Sequence, residues 1–221
     1  MIKMDKSVIA IVILVLIPFI LAGIFYPRMP EVMASHWNAR GEADGTIPRF
    51  WGLFLFPLIS VVIAAILLAV PKIDPLKANI QKFKGYYYGF IVSFLVYFLY
   101  IYVLTLVWNL GWKFDFNLMI IPSIGVLMII IGVLISKAKR NFFIGIRTPW
   151  TLSSDEVWNK THRLGGKLFT IAGVIIMLMS FIPETDVYLL LILILGVTAW
   201  LVLYSYLLYR KLGQSPQPPA G

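Results

Sequence analysis

The stretch Ser7–Tyr26 reads SVIAIVILVLIPFILAGIFY and carries no charged side chain. A helix rises about 1.5 Å per residue, so a segment of this length spans a hydrocarbon core of roughly 30 Å. Five further charge-free segments follow it: Gly52–Val70, Gly85–Leu110, Phe116–Ser136, Leu168–Pro183 and Val187–Tyr209. We therefore predict an all-α fold, a polytopic membrane protein built as a bundle of six transmembrane helices.

The composition of the 221 residues supports this interpretation. Hydrophobic residues make up 60% of the chain, charged residues only 13%, and the mean hydropathy is +0.89. This balance excludes a secreted enzyme, a nucleic-acid module and a chain that is disordered as a whole. The chain has no cysteine, which excludes disulfides, thiolate metal sites and a thiol nucleophile. We predict no cofactor and no metal site.

The distribution of lysine and arginine predicts the orientation. Placing the N-terminus inside assigns 15 of the 19 basic residues to cytoplasmic segments and 4 to outer ones. This asymmetry over short loops is a strong positive-inside signal, and it explains the net charge of +9 without a nucleic-acid partner. We expect a multi-pass protein of the cell membrane with both termini cytoplasmic and with membrane lipids as partners.

Two long loops divide the chain into two three-span halves and a tail. The first half, 1–110, contains the outer loop 27–51, and the second, 111–212, contains the inner loop 137–167. The remaining residues, 213–221, are rich in proline and glutamine, and we predict a disordered tail.

The local sequence of each loop predicts its structure. In the outer loop, prolines and Asp44–Gly45 predict turns rather than a long helix. In the inner loop, Ser153 and Glu156 have the spacing of a capping box. They predict a short interfacial helix, roughly Ser154–Leu164, which Gly165–Gly166 would end and whose Trp158 would face lipid.

A dense set of polar, aromatic and glycine residues occupies the inner loop. Its members are Asn141, Gly145, Arg147, Thr148, Pro149, Trp150, Thr151, Ser154, Val157, Trp158, Thr161, His162, Gly165 and Gly166. This pattern resembles the signature of the SdpI immunity-protein family. The outer loop, with Pro30, His36, Trp37, Asn38, Gly41, Asp44 and Gly45, is similar to the domain of unknown function that commonly opens members of that family.

The resemblance implies a membrane protein of the immunity and signalling type. The best-known member protects cells from a secreted peptide toxin that delays sporulation, and it sequesters a cytosolic repressor at the membrane. Implied partners are thus a peptide toxin or amphiphile outside and a cytosolic regulator inside. The implied ligand-binding residues are His36, Trp37, Asn38, Asp44, Asn141, Arg147, Thr148, Trp150, Trp158, Thr161 and His162.

Other interpretations of the same residues stay open. A membrane enzyme acting on lipid or peptide could use an inner-face site of Arg147, Asp155, Glu156 and His162. We favour a protein that acts by binding over an enzyme. An uncoupled flippase of lipid or amphiphile is a further alternative. Ion-coupled transport is disfavoured, because it usually needs an ionisable residue inside the membrane and the six predicted segments have none.

The two histidines and Arg147 each have a second interpretation. His36 and His162 are predicted on opposite faces, so they cannot share a metal site within one chain. His36 with Glu31, Glu42 and Asp44 could bind a cation, or these polar groups could bond the turns of their own loop. Arg147 could hold a lipid phosphate or stack on Trp150.

Overall fold

The computed structural model describes residues 6–182 and 187–213. Its helices are α1 (Lys6–Phe25), α2 (Arg49–Ile73), α3 (Lys77–Gln81), α4 (Lys84–Asn109), α5 (Phe116–Lys137), α6 (Pro149–Ser153), α7 (Asp155–Met179) and α8 (Val187–Gly213). Within the described residues, all except α3 and α6 are long and apolar enough to cross a membrane. The prediction of an all-α protein with six transmembrane helices is confirmed.

The inner loop differs from its prediction in three respects. The predicted helix Ser154–Leu164 and the predicted span from Leu168 form one continuous helix, α7, which does not end at Gly165–Gly166. The short helix of this loop is α6 instead, capped by Thr148 and Thr151. Trp158 is fully buried, so the prediction that it faces lipid was wrong.

The glycines of α7 allow close packing rather than ending the helix. A Cβ at Gly166 would lie 2.8 Å from the Gly132 carbonyl oxygen of α5, and one at Gly173 would lie 2.5 Å from that of Gly125. Each helix thus carries two glycines seven residues apart, and the two pairs face each other. Small residues at such spacing let membrane helices approach at backbone distance.

The long helices form two groups that pack against each other through α4 and α5. Helices α1, α2 and α4 contact one another, α7 packs against both α5 and α8, and α4 contacts α5. The division of the chain into the halves 1–110 and 111–212 stays a prediction. Of the predicted tail, Gly213 ends α8, and the rest lies outside the described residues.

The outer loop folds into a β-hairpin, where the sequence predicted only turns. Strand β1 (Val32–Trp37) pairs antiparallel with β2 (Ala43–Pro48), from Val32 opposite Pro48 to Trp37 opposite Ala43. The hairpin is held against the bundle because Met33 is fully buried and the Asn109 side chain of α4 pairs with Ala34. This location is called the hairpin end of the bundle.

The opposite end, here the motif end, contains α3 and the motif loop, residues 138–154. Both ends of the described chain lie there. Ile11 of α1 packs in one buried cluster with Trp158, and Ser205 of α8 bonds to Trp150.

Candidate functional site

Asn141 organises the first part of the motif loop. Its buried side-chain oxygen accepts from the amides of Phe143 (2.9 Å) and Ile144 (2.6 Å). Its side-chain nitrogen donates to the carbonyls of Lys139 (2.8 Å) and Ile144 (3.0 Å). Both the oxygen and the nitrogen of the Asn141 side chain are thus bonded to the backbone of the loop. Asn141 was predicted to bind a ligand, and in the structure it holds the loop in shape.

His162 lies beneath the loop with both ring nitrogens bonded. Nδ1 is 2.8 Å from the Trp158 carbonyl, which can only accept, and Nε2 is 3.0 Å from the Ile146 amide, which can only donate. These partners assign the neutral Nδ1–H tautomer. The ring also stacks on Trp158 at 3.9 Å and is almost fully buried, so neither nitrogen is available to a substrate or a metal.

Gly145 is required for this arrangement. Its φ is +111°, and a Cβ there would overlap Nε2 of His162. Glycine alone combines this backbone conformation with the close approach of the ring.

Thr148, Trp150 and Thr151 attach the loop to α8. Thr148 and Thr151 form the capping box that opens α6, and the Thr151 hydroxyl donates to the Ile146 carbonyl at 2.8 Å. The indole N–H of Trp150 donates to the hydroxyl of Ser205, which also lies 3.4 Å from that of Thr148. Ser205 was not predicted, although a hydroxyl in the apolar run of α8 was a signal that could have identified it.

Trp158 and Thr161 occupy the buried face of α7. The indole N–H of Trp158 donates to the Ala138 carbonyl at 2.9 Å, and its ring packs in a cluster with Tyr87 and Ile91 of α4. The Thr161 hydroxyl is also fully buried and has no hydrogen-bond partner among the residues that the structure describes. Trp158 therefore joins the two helix groups at the motif end.

The polar groups of the enzyme hypothesis do not form one site. Asp155 pairs with Arg140 at 2.8 Å, and Glu156 pairs with Lys160 at 2.6 Å. The exposed Arg147 donates to the Phe142 carbonyl at 2.7 Å. The predicted cap is also shifted by one residue, because Ser154 accepts from the Val157 amide.

Two residues of the α2–α4 connection bind the motif loop from the other helix group. The buried Asp74 carboxylate accepts from the Phe142 amide (2.9 Å) and from the Leu76 amide (2.6 Å). The Asn79 side chain donates to the Arg140 carbonyl at 2.9 Å. Neither residue was predicted, although Asp74 is the one carboxylate in a connection otherwise rich in lysine.

At the hairpin end, the predicted polar residues form two small networks. His36 Nδ1 lies 2.6 Å from the Asp44 carboxylate, and both side chains are largely exposed. The Asn38 side chain accepts from the amides of Arg40 and Glu42 and donates to the Glu42 carboxylate at 2.9 Å. The hydrogen bonds that the Glu42 carboxylate accepts from the side chains of Asn38 and Arg40, together with the positive charge of Arg40, hold the pKa of Glu42 below its usual value.

Trp37 faces the bundle instead. Its ring stacks on Phe116 of α5 at 3.9 Å and meets Trp108 of α4 edge-on at 5.5 Å. Asn117 adds a hydrogen bond of 2.7 Å to the Ala39 carbonyl. The hairpin therefore joins α4 to α5 at this end.

The structure separates the residues that could hold a cation. Among the described residues, no group of three or more histidine, aspartate or glutamate side chains is placed to bind a metal ion. His36 lies at the hairpin end and His162 at the motif end. Of the acidic neighbours proposed for His36, Asp44 pairs with it, whereas Glu42 pairs with Arg40.

Six membrane-crossing helices, with a buried polar loop at one end and a hairpin at the other, define a multi-pass membrane protein. The model of the SdpI/YfhL protein family matches residues 137–205, and that of a domain of unknown function, DUF1648, matches residues 13–61. The chain is 30% identical over 217 residues to the immunity protein SdpI of Bacillus subtilis (strain 168), covering 96% of this chain and all of that protein. The chain belongs to the SdpI family, as the resemblance of the two loops indicated. No solved structure gives a significant match.

Each matched region contains the long connection at one end of the molecule together with parts of the helices next to it. The first, 137–205, runs from the last residue of α5 through the motif loop and α7 to Ser205, the partner of Trp150. The second, 13–61, contains the hairpin and the parts of α1 and α2 that flank it.

Proposed function

We propose that the protein is an immunity and signalling protein of the cell membrane, which binds a membrane-active peptide toxin or amphiphile and neutralises or reports it. The similarity to an immunity protein over 96% of the chain carries the proposal. Both termini and the motif end would face the cytoplasm, because that orientation places 15 of 19 basic residues inside.

The hairpin end is the proposed point of contact with the toxin. His36 and Asp44 stand on its exposed surface, and Phe50 and Trp51 at the start of α2 are each about half exposed. An amphipathic peptide arriving at the outer leaflet would meet apolar rings and hydrogen-bonding groups together. Trp37 supports this surface by packing on the bundle, and Asn38 supports it by bonding the amides of the turn.

The exposed face of α7 is the proposed contact for a cytosolic regulator. Glu156, Asn159, Lys160 and Arg163 line an open cavity of about 420 Å³ there. The same helix carries His162 and Trp158 on its buried face, so a shift of the motif loop would be transmitted to the exposed face through one rigid element.

The enzyme alternative receives less support from the geometry. Both nitrogens of His162 are already bonded, and its proposed carboxylate partner Asp155 is paired with Arg140. A general base needs a free lone pair within reach of its substrate.

Survival of a toxin-sensitive host tests the proposed function. Cells expressing the chain would be challenged with a panel of membrane-active peptides, beside cells expressing a His36→Ala/Asp44→Ala variant at equal membrane level. We expect protection by the native chain against at least one peptide and loss of protection in the variant.

Thr46→Ala is the matched control, since Thr46 lies exposed on the same hairpin. It should protect as the native chain does. Protection that is equal in all three proteins would remove the hairpin from toxin recognition, and an absence of protection by the native chain against every peptide would contradict the immunity proposal.

A further inference from the structure

A continuous lateral groove runs between α4 and α5. Its two parts have volumes of about 590 and 360 Å³, and both are lined by Ser93 and Ile130. Val96, Val126 and Val133 along it are each close to half exposed, so the groove opens sideways, toward the surrounding bilayer. It lies between α4 and α5, which belong to different helix groups and pack against each other.

Glycines of α4 create the space. A Cβ placed on Gly85 or Gly89 meets no atom within 4 Å. On the face of α5 that points away from the groove there is no such space, because Gly125 and Gly132 are in backbone contact with α7. Helix α5 is thus packed tightly on one side and leaves an unfilled channel on the other.

The groove is apolar along its length and basic at one mouth. The hydroxyls of Tyr100 and Ser123 are bonded to carbonyls of α5, at 3.1 and 2.6 Å, and so leave apolar walls. Lys82 and Lys84 line the mouth at the motif end. No acidic residue is among the groove-lining residues that the structure describes.

The dimensions suit a lipid chain. From Gly85 to Tyr100 the helix rises roughly 22 Å, whereas one leaflet contributes about 15 Å of the hydrocarbon core. A single acyl chain that enters at the basic mouth can therefore lie in the groove over its whole depth in that leaflet.

We propose that this groove is a binding site for an anionic phospholipid, with one acyl chain between α4 and α5 and the phosphate at Lys82 and Lys84. Charge complementarity selects an anionic headgroup, because juxtamembrane lysines attract acidic lipids. The lipid would fill the gap between the two helix groups and so stabilise the bundle between its two joints. The site is independent of any toxin.

Native mass spectrometry of the full chain tests the site. The protein would be reconstituted in equal parts of phosphatidylglycerol and phosphatidylcholine, extracted, and its retained lipids counted. We expect one retained phosphatidylglycerol. In a Lys82→Gln/Lys84→Gln variant its preference over phosphatidylcholine should fall roughly fivefold for each lysine lost.

A Gly89→Leu variant tests the groove itself with both lysines present. The leucine would fill the channel, and retention of either lipid should fall to background. Gly23→Leu is its control, since a Cβ at Gly23 in α1 also meets nothing within 4 Å and lies outside the groove. Lys72→Gln/Lys77→Gln removes the same charge from exposed positions at the motif end and should retain phosphatidylglycerol as the native chain does.

Three results would overturn the proposal. Equal retention of the two lipids by the native chain would indicate an uncharged occupant, and full retention by Gly89→Leu would place the lipid elsewhere. If the spectra show a dimer that retains no lipid, the occupant of the groove would be a second copy of the chain.

Discussion

At the scale of single residues, the motif loop depends on buried hydrogen bonds made by its own side chains and by His162. Asn141, Thr151 and His162 are buried and bonded to the backbone of the loop that contains or covers them. Arg147, with an exposed side chain, is the member of the inner set that remains available to another molecule. In this chain the motif therefore describes a folded loop, and the binding roles of its residues stay a prediction.

Gly145→Ala should destabilise this loop. Alanine at positive φ costs about 1–2 kcal/mol, and its Cβ would displace the His162 ring and leave the Ile146 amide unpaired, at about 1–3 kcal/mol. We expect a lower unfolding temperature and faster hydrogen exchange at Ile146.

Gly111→Ala separates the two costs. Gly111 also has a positive φ, +105°, but a Cβ there meets nothing within 4 Å. If both variants lose the same stability, the contact with His162 contributes nothing and the backbone alone explains the effect.

At the scale of elements, α5 and α7 form the tightest pair in the bundle. Their glycines bring the backbones together, so shape rather than polarity decides this interface. The same glycines in the sequence suggested a helix end, because Gly165–Gly166 follows a polar, amphipathic segment. In lipid a helix that keeps its backbone bonded continues through glycine when a neighbouring helix fills the space.

Gly132→Ala should force these two helices apart. Its Cβ would lie 2.7 Å from the Gly166 carbonyl oxygen and 2.6 Å from the Thr170 hydroxyl. Overpacking of this kind costs about 1–3 kcal/mol, and thermal unfolding in detergent would measure it. Gly89→Ala in α4 is the control, since it changes helix propensity equally but introduces no clash. It should leave the unfolding temperature unchanged or raise it. A loss of stability as large as that of Gly132→Ala would refute the packing explanation.

At the scale of the whole molecule, two helix groups are joined at both ends and open between them. The motif end is joined by Asp74, Asn79 and Trp158, and the hairpin end by Trp37 and Asn117. Under the proposed function, a signal from the hairpin end to the motif end would have two routes: along the pair α5 and α7, or through a change in the α4–α5 groove.

Asp74→Ala should loosen the motif end while leaving the hairpin end intact. Removing the carboxylate leaves the Phe142 amide unpaired, with a loss of about 1–3 kcal/mol. Hydrogen exchange should rise in residues 138–154 and stay unchanged in β1 and β2. Thr46→Ala, exposed on the hairpin, is the control for both regions, and a uniform rise along the whole chain after Asp74→Ala would show global unfolding instead of a local joint.

The sequence by itself determined the class of the protein, its six spans and its family, because charge-free length and local motifs are properties of contiguous residues. The bilayer requires every backbone group to be bonded within a helix, so hydropathy suffices to count the spans, although the fifth runs from Asp155 to Met179 and not from Leu168 to Pro183. The tertiary structure decided what the motif residues do. Asp74, Asn109 and Ser205 acquire their roles from partners far along the chain, at Phe142, Ala34 and Trp150, and no local pattern encodes such pairs. The hairpin was not predicted for the same reason. It is held against the bundle by the buried Met33 and by the side chain of Asn109, which is distant in sequence.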